Sequence, residues 1–108
     1  METGKIRCIV KRPDETYGHM TNISCSLKNL QKTVEGYIET ISIGESITIV
    51  CNEEGKIRKL QPNFYIGSGF WQDQIRGTVI IIGQNGEEFC DIPIDFATWK
   101  KLLKGWGN

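Results

Sequence analysis

Histidine is nearly missing from this chain: His19 is the only one in 108 residues. The four cysteines, Cys8, Cys25, Cys51 and Cys90, stand far apart, and no C-x-x-C pair occurs. Zinc sites need imidazoles or thiolates at close, paired spacing, so no metal site is expected, and no cofactor either. His19 has no nearby cysteine or serine in a nucleophile motif, which removes the simplest route to covalent catalysis. An excess of charge is also missing, with 13 basic and 13 acidic residues and a formal net charge of zero. Binding nucleic acid by bulk electrostatics needs a basic excess, and mimicking DNA needs an acidic one, so a nucleic-acid partner is not expected. No apolar run is long enough to span a bilayer, and Met1 to Lys5 contains no apolar leader core. Cys8 and Cys51 sit within apolar, strand-like runs, where a reduced cysteine acts as a small hydrophobe. The expected compartment is therefore the cytoplasm, with no membrane partner.

What remains is an ordinary globular composition, 39% hydrophobic and 24% charged. The length corresponds to one domain, residues 1–108, with a modest core that needs no disulfide staple. Lys5 to Lys11 alternates as a first strand, with Ile6, Cys8 and Val10 on one face. Pro13, Asp14 and Gly18 supply a loop, and His19 to Ser24 returns as a thin edge strand. Ser24 or Ser26 caps a helix bearing Leu27, Leu30 and Val34 on one face, and Gly36 ends it. Tyr37 to Ile43 and Ile47 to Asn52 are strands, the second nearly all apolar and so central. Gly55 turns the chain into a short return strand, Ile57 to Leu60. Gln61 to Asp73 reads as a long irregular loop carrying Phe64, Tyr65, Phe70 and Trp71. Ile75 to Gly83 is the strongest strand, and an Asn85-Gly86 turn leads to a short one, Phe89 to Ile92. Asp95 caps a last helix, with Phe96, Trp99 and Leu103 in one stripe and Gly105 at its end. The order β-β-α-β-β-β-β-α, dominated by hairpins, defines an α+β domain. The expected form is two layers: a mainly antiparallel sheet of five to seven strands with two short helices on one face.

Several of these residues fall into an ordered pattern. It runs from Leu27-Lys28-Asn29-Leu30-Gln31 through Gly36-Tyr37-Ile38-Glu39 to Asn52-Glu53-Glu54-Gly55-Lys56. Pro62-Asn63 and Gly77-Thr78 before an apolar strand complete it. Over about residues 5–92 the chain resembles an uncharacterised domain family of bacterial chromosomes, plasmids and phages, frequent in mobile elements of Gram-positive bacteria. The resemblance implies a fold and a genomic setting and no activity. That family often places a basic residue after the Pro-Asn pair. Phe64 stands there in this chain, so an anion-binding role for that corner does not carry over.

The candidate site residues are Glu39, Asn63, Phe70, Trp71 and Arg76. Glu39 shares its strand face with Ile41 and Ile43. If that face is buried, the carboxylate needs a partner such as Arg76 or Lys59; at an edge it is merely exposed. Asn63 either bonds neighbouring backbone or meets a ligand. Phe70 and Trp71 are the groups that would anchor a partner. The leading expectation is a small non-enzymatic accessory protein of a phage or mobile element. It would contact a host or phage protein, or a small ligand, through the aromatic segment 61–76. One alternative is an enzyme with Glu39 or Glu53 as acid/base and Asn63 or Arg76 orienting substrate, which requires these groups to converge in one pocket at hydrogen-bond reach. Another is a structural module that pairs with its own copy through the edge strand His19 to Ser24.

Overall fold

A computed structural model describes residues 4–108; the part of the leader reading that falls on residues 1–3 lies outside it. The elements in chain order are β1 (Lys5–Lys11), β2 (His19–Ser24), α1 (Leu27–Val34), β3 (Ile38–Ser42) and β4 (Ile47–Asn52). They continue with β5 (Pro62–Ile66), β6 (Asp73–Arg76), β7 (Val79–Asn85), β8 (Glu88–Cys90) and α2 (Phe96–Gly105). Six strands form one sheet in the order β2-β1-β7-β4-β3, with β8 also on β7, and β5 and β6 form a separate two-stranded sheet. Every pairing is antiparallel. The α+β reading therefore stands, and β2 is an edge as expected.

Alternation along β1, β4 and β7 sorts the apolar side chains onto two faces. Cys8, Val10, Val50, Ile80 and Ile82 pack under α1 through Leu30 and Val34. Ile9, Ile49, Cys51, Val79 and Ile81 pack under α2 and the β5–β6 hairpin, through Trp99, Leu103, Phe64 and Ile75. The helices were expected on one face and lie on opposite faces. The physical reason is that the central strands are apolar on both sides, so each side needs a cover.

At the start of α1, Ser26 Oγ accepts from the Asn29 N–H at 3.1 Å. At its end Glu35, and not Gly36, takes the left-handed conformation (φ 65°). Gly36 is needed for space: a Cβ there would stand 2.5 Å from Asn52 Nδ2. That buried amide donates to the Val34 carbonyl at 3.0 Å and to the Glu35 carbonyl at 3.2 Å. Its oxygen accepts from the Glu54 N–H at 2.7 Å. The Gly-Tyr-Ile-Glu and Asn-Glu-Glu-Gly motifs thus meet as one lock between the end of α1 and the end of β4.

Three element readings are corrected. Ile57 to Leu60 is a run of turns and not a strand, with Arg58 N–H bonded to the Glu54 carbonyl at 2.8 Å and Leu60 N–H to the Gly55 carbonyl at 2.9 Å. Its apolar residues fall three apart, which suits a turn better than alternation. The positive φ belongs to Lys59 (54°) and not to Gly55. The supposedly irregular segment 61–73 holds β5, a 3-10 turn over Gly69–Trp71 and the start of β6. The supposedly single strand from Ile75 to Gly83 is two, β6 and β7, separated at Gly77-Thr78. At the C-terminus α2 runs through Gly105, and the Trp106 N–H caps it on the Leu102 and Leu103 carbonyls, both at 3.1 Å.

All four cysteines are free; Cys8 and Cys51 are buried, and Cys25 and Cys90 half-buried. Burial pushes the Cys8 and Cys51 thiols up to about 11. Burial raises the Cys25 thiol as well, but Cys25 and Cys90 are only half-buried, so a maleimide at about pH 8 should reach and label these two alone in the folded protein. Cys8 and Cys51 should react only in denaturant; rapid labelling of all four in the native state would contradict this packing. No helix among the described residues is long and apolar enough to cross a membrane.

Candidate functional site

The β5–β6 hairpin stands on a rigid aromatic base. Phe64 meets Trp99 edge-on, with ring centroids 5.8 Å apart, and stacks on Trp106 at 6.4 Å. The chain end ties down one rail: Tyr65 N–H donates to Asn108 Oδ1 at 2.9 Å, and Asn108 Nδ2 donates to the Tyr65 carbonyl at 2.8 Å. Gln72 Nε2 donates to the Trp106 carbonyl at 3.1 Å.

Above that base the tip is shaped by two left-handed glycines, Gly67 (φ 75°) and Gly69 (φ 59°). A Cβ on Gly67 would come within 2.6 Å of the Trp71 carbonyl oxygen, so only glycine fits there. From Gly69 to Trp71 the chain makes its 3-10 turn, with Trp71 N–H on the Ser68 carbonyl at 3.1 Å. Phe70 and Trp71 consequently project outward, 102% and 87% exposed, and neither belongs to a core cluster. Two adjacent aromatics held in water on a structured turn serve no packing role in the monomer.

A cleft of about 270 Å³ lies beside the hairpin. Its floor is Ile41, Cys51 and Ile75, and its rim carries Glu39, Glu53, Lys56, Asp73 and Arg76. Lys56 Nζ pairs with Asp73, joining the turn after β4 to the start of β6, and this bond holds the Asp73 carboxyl below the usual range. Among the described residues, no ion pair includes Glu39, Glu53 or Arg76. Arg76 Nη1 instead donates to the Leu60 carbonyl at 3.1 Å. Glu39 lies on an edge strand and is exposed, which resolves its two readings in favour of exposure.

Asn63 lies elsewhere and is fully engaged. Its oxygen accepts from Lys11 Nζ, while its Nδ2 donates to the Lys11 carbonyl at 2.9 Å and the Gly77 carbonyl at 2.7 Å. Lys11 is 2% exposed, donates to the Glu15 carbonyl at 2.7 Å and sits 5.4 Å from the Phe64 ring centre. Burial lowers its pKa, against the pull of the Glu15 and Asp14 carboxylates. The fold thus brings Glu39, Glu53 and Arg76 to one cleft, sends Phe70 and Trp71 to the hairpin tip and makes Asn63 a structural clasp. Sequence reading missed Lys11, Lys56 and Asp73. The partners of Lys11 and Lys56 are remote in sequence, and no local pattern marks them. His19 is paired with the Glu15 carboxylate at 2.7 Å.

The described residues thus form an antiparallel α+β body that carries an aromatic-tipped hairpin with a small charged cleft at its side. The chain belongs to the domain of unknown function family DUF3846, which matches residues 6–104. Neither a curated protein nor a solved structure matches it.

Proposed function

We propose that this protein is a small non-enzymatic binding protein, an accessory of a phage or mobile element, whose hairpin tip inserts into a pocket on a partner protein. The exposure of Phe70 and Trp71 on a structured turn carries this reading. Small-ligand sites are concave. The tip is convex, so the partner has to supply the concavity, and a protein does so with the aromatic anchors that dominate interface energetics. A membrane surface fits less well: Asp73 follows the tip at once, and Lys56 is spent on it. The motif resemblance to a mobile-element family supports the setting. The enzyme reading keeps Glu39, Glu53 and Arg76 in one cleft and loses Asn63, which is committed to backbone and Lys11.

A photoreactive phenylalanine analogue at Phe70, irradiated in cells of the native host, should give a discrete cross-linked protein species. The same group at exposed Glu45, in the β3–β4 turn, should not. Lipid adducts alone, or identical patterns from both positions, would refute tip insertion.

A further inference from the structure

The outer edge of β2 presents main-chain groups that the rest of the chain does not use. Successive residues of an antiparallel strand direct their N–H and C=O to alternate sides. Arg7 directs both away from β2: its N–H donates to Asp91 Oδ1 at 2.8 Å, and its carbonyl accepts from the Ile92 N–H at 2.9 Å. Arg7 lies opposite Asn22, and Ile9, of the same parity, opposite Met20. The main-chain groups of Met20 and Asn22 therefore point outward, where β2 has no neighbouring strand. Among the described residues no turn or loop bond reaches them. The next outward carbonyl, that of Ser24, is taken by Asn29 Nδ2 at 2.8 Å.

Sheets guard such edges with charge, proline or a bulge. β2 has none of these: no acidic residue, lysine, arginine or proline occurs from His19 to Leu27, and its register with β1 is unbroken. The other edges are guarded. β3 carries Glu39, with Glu45 in the turn that follows. On β5 the Tyr65 main chain is held by Asn108, and β6 is crossed by the Lys56–Asp73 pair.

We propose that β2 pairs antiparallel with β2 of a second copy of this chain, about a two-fold axis through Thr21. In that register Met20 of each copy faces Asn22 of the other, and each such pair exchanges both its hydrogen bonds. The overlap runs from His19 to Ile23, so it stops short of Ser24 and leaves the bond to Asn29 in place. Thr21 faces its own copy, a favourable cross-strand pair. The contact is isologous, and two uncharged strands on chains of zero net charge meet without repulsion, which favours a second copy over a charged partner. The axis stands normal to the sheet, so both copies carry α2 and the β5–β6 hairpin on the same face of the joined sheet. The proposal uses neither Phe70 nor Trp71 and stands apart from tip insertion.

Sedimentation equilibrium of the full chain should show the mass rising from one chain toward two between about 10 µM and about 1 mM. In a Cys25→Ser/Cys90→Ser background, Thr21→Cys should give a disulfide-linked dimer under copper-phenanthroline at least about tenfold faster than Thr40→Cys on the exposed edge of β3. A non-hydrogen-bonded pair sets its Cα atoms about 4.5 Å apart, within disulfide reach. Asn22→Pro removes an outward N–H that the monomer leaves unused, and should weaken the dimer at least about tenfold. Trp71→Ala should leave it unchanged. A single-chain mass across the whole range, a dimer that Asn22→Pro leaves intact, equal cross-linking at positions 21 and 40, or a dimer lost with Trp71→Ala would overturn it.

Discussion

Replacing Trp99 by alanine should cost about 4 kcal/mol of unfolding free energy, the largest single loss expected in this protein. The side chain is 0% exposed, and its Nε1 donates to the Tyr17 carbonyl at 2.8 Å. It is also the wall against which Phe64 and Trp106 pack, edge-on at 5.8 and 6.1 Å. Truncation removes the transfer energy of a large ring, leaves a cavity and deprives the part-buried Tyr17 carbonyl of its donor. A small domain has only about 5–15 kcal/mol to lose, so the variant should be close to unfolding at growth temperature. Urea titration reads this as a fall in midpoint with an unchanged slope. Trp99→Phe should recover a large part of the loss by refilling the cavity. A loss under about 1 kcal/mol would show that α2 does not seal this core.

Asn63→Ala should cost about 3 kcal/mol, well above the usual cost of a surface substitution. The variant deprives the buried Lys11 ammonium of an acceptor and leaves the Lys11 and Gly77 carbonyls without their donor. The pH dependence has a definite sign. Burial already holds the folded-state pKa of Lys11 below its ordinary value, and removing Asn63, an acceptor that favours the charged ammonium, should lower it further. A lowered folded pKa means that the unfolded chain binds the proton more readily, so the penalty is full at neutral pH. It should ease as pH rises through the folded pKa toward the ordinary lysine range. Equal stability of wild type and Asn63→Ala across that range, in parallel denaturant titrations, would remove Asn63 from the scaffold.

The two substitutions show how far the sequence carries. Strands β1, β2, β4 and β7 and both helices are legible, because alternation and the stripes of Leu30/Val34 and Trp99/Leu103 are strong local signals. The β5–β6 hairpin is not legible. Its strands are short, Pro62 and Gly67 sit at their ends, and the exposed aromatics break the apolar pattern. The opposite placement of the helices is a tertiary fact, set by which faces of the sheet need cover. At the site, the prominence of Phe70 and Trp71 is visible in sequence, but their exposure depends on Gly67 and Gly69 and on the Phe64 base. The Lys11–Asn63 clasp spans 52 residues and leaves no local trace. Gly36 and Asn52 stand out in the sequence, and both serve folding, Asn52 by bonding the end of α1 and Gly36 by leaving room for it.

This division of labour has a consequence for function. Gly36, Asn52 and Asn63 hold the scaffold, whereas Phe70 and Trp71 lie on an exposed loop that bonds none of them. With the captured partner in hand, the decisive measurement is its solution affinity for wild type and for Trp71→Ala, alongside the thermal midpoint of each. Tip insertion predicts a loss of about 30-fold or more, corresponding to a hot spot of ~2 kcal/mol, with no fall in the midpoint. Unchanged affinity, within about twofold, would contradict the account.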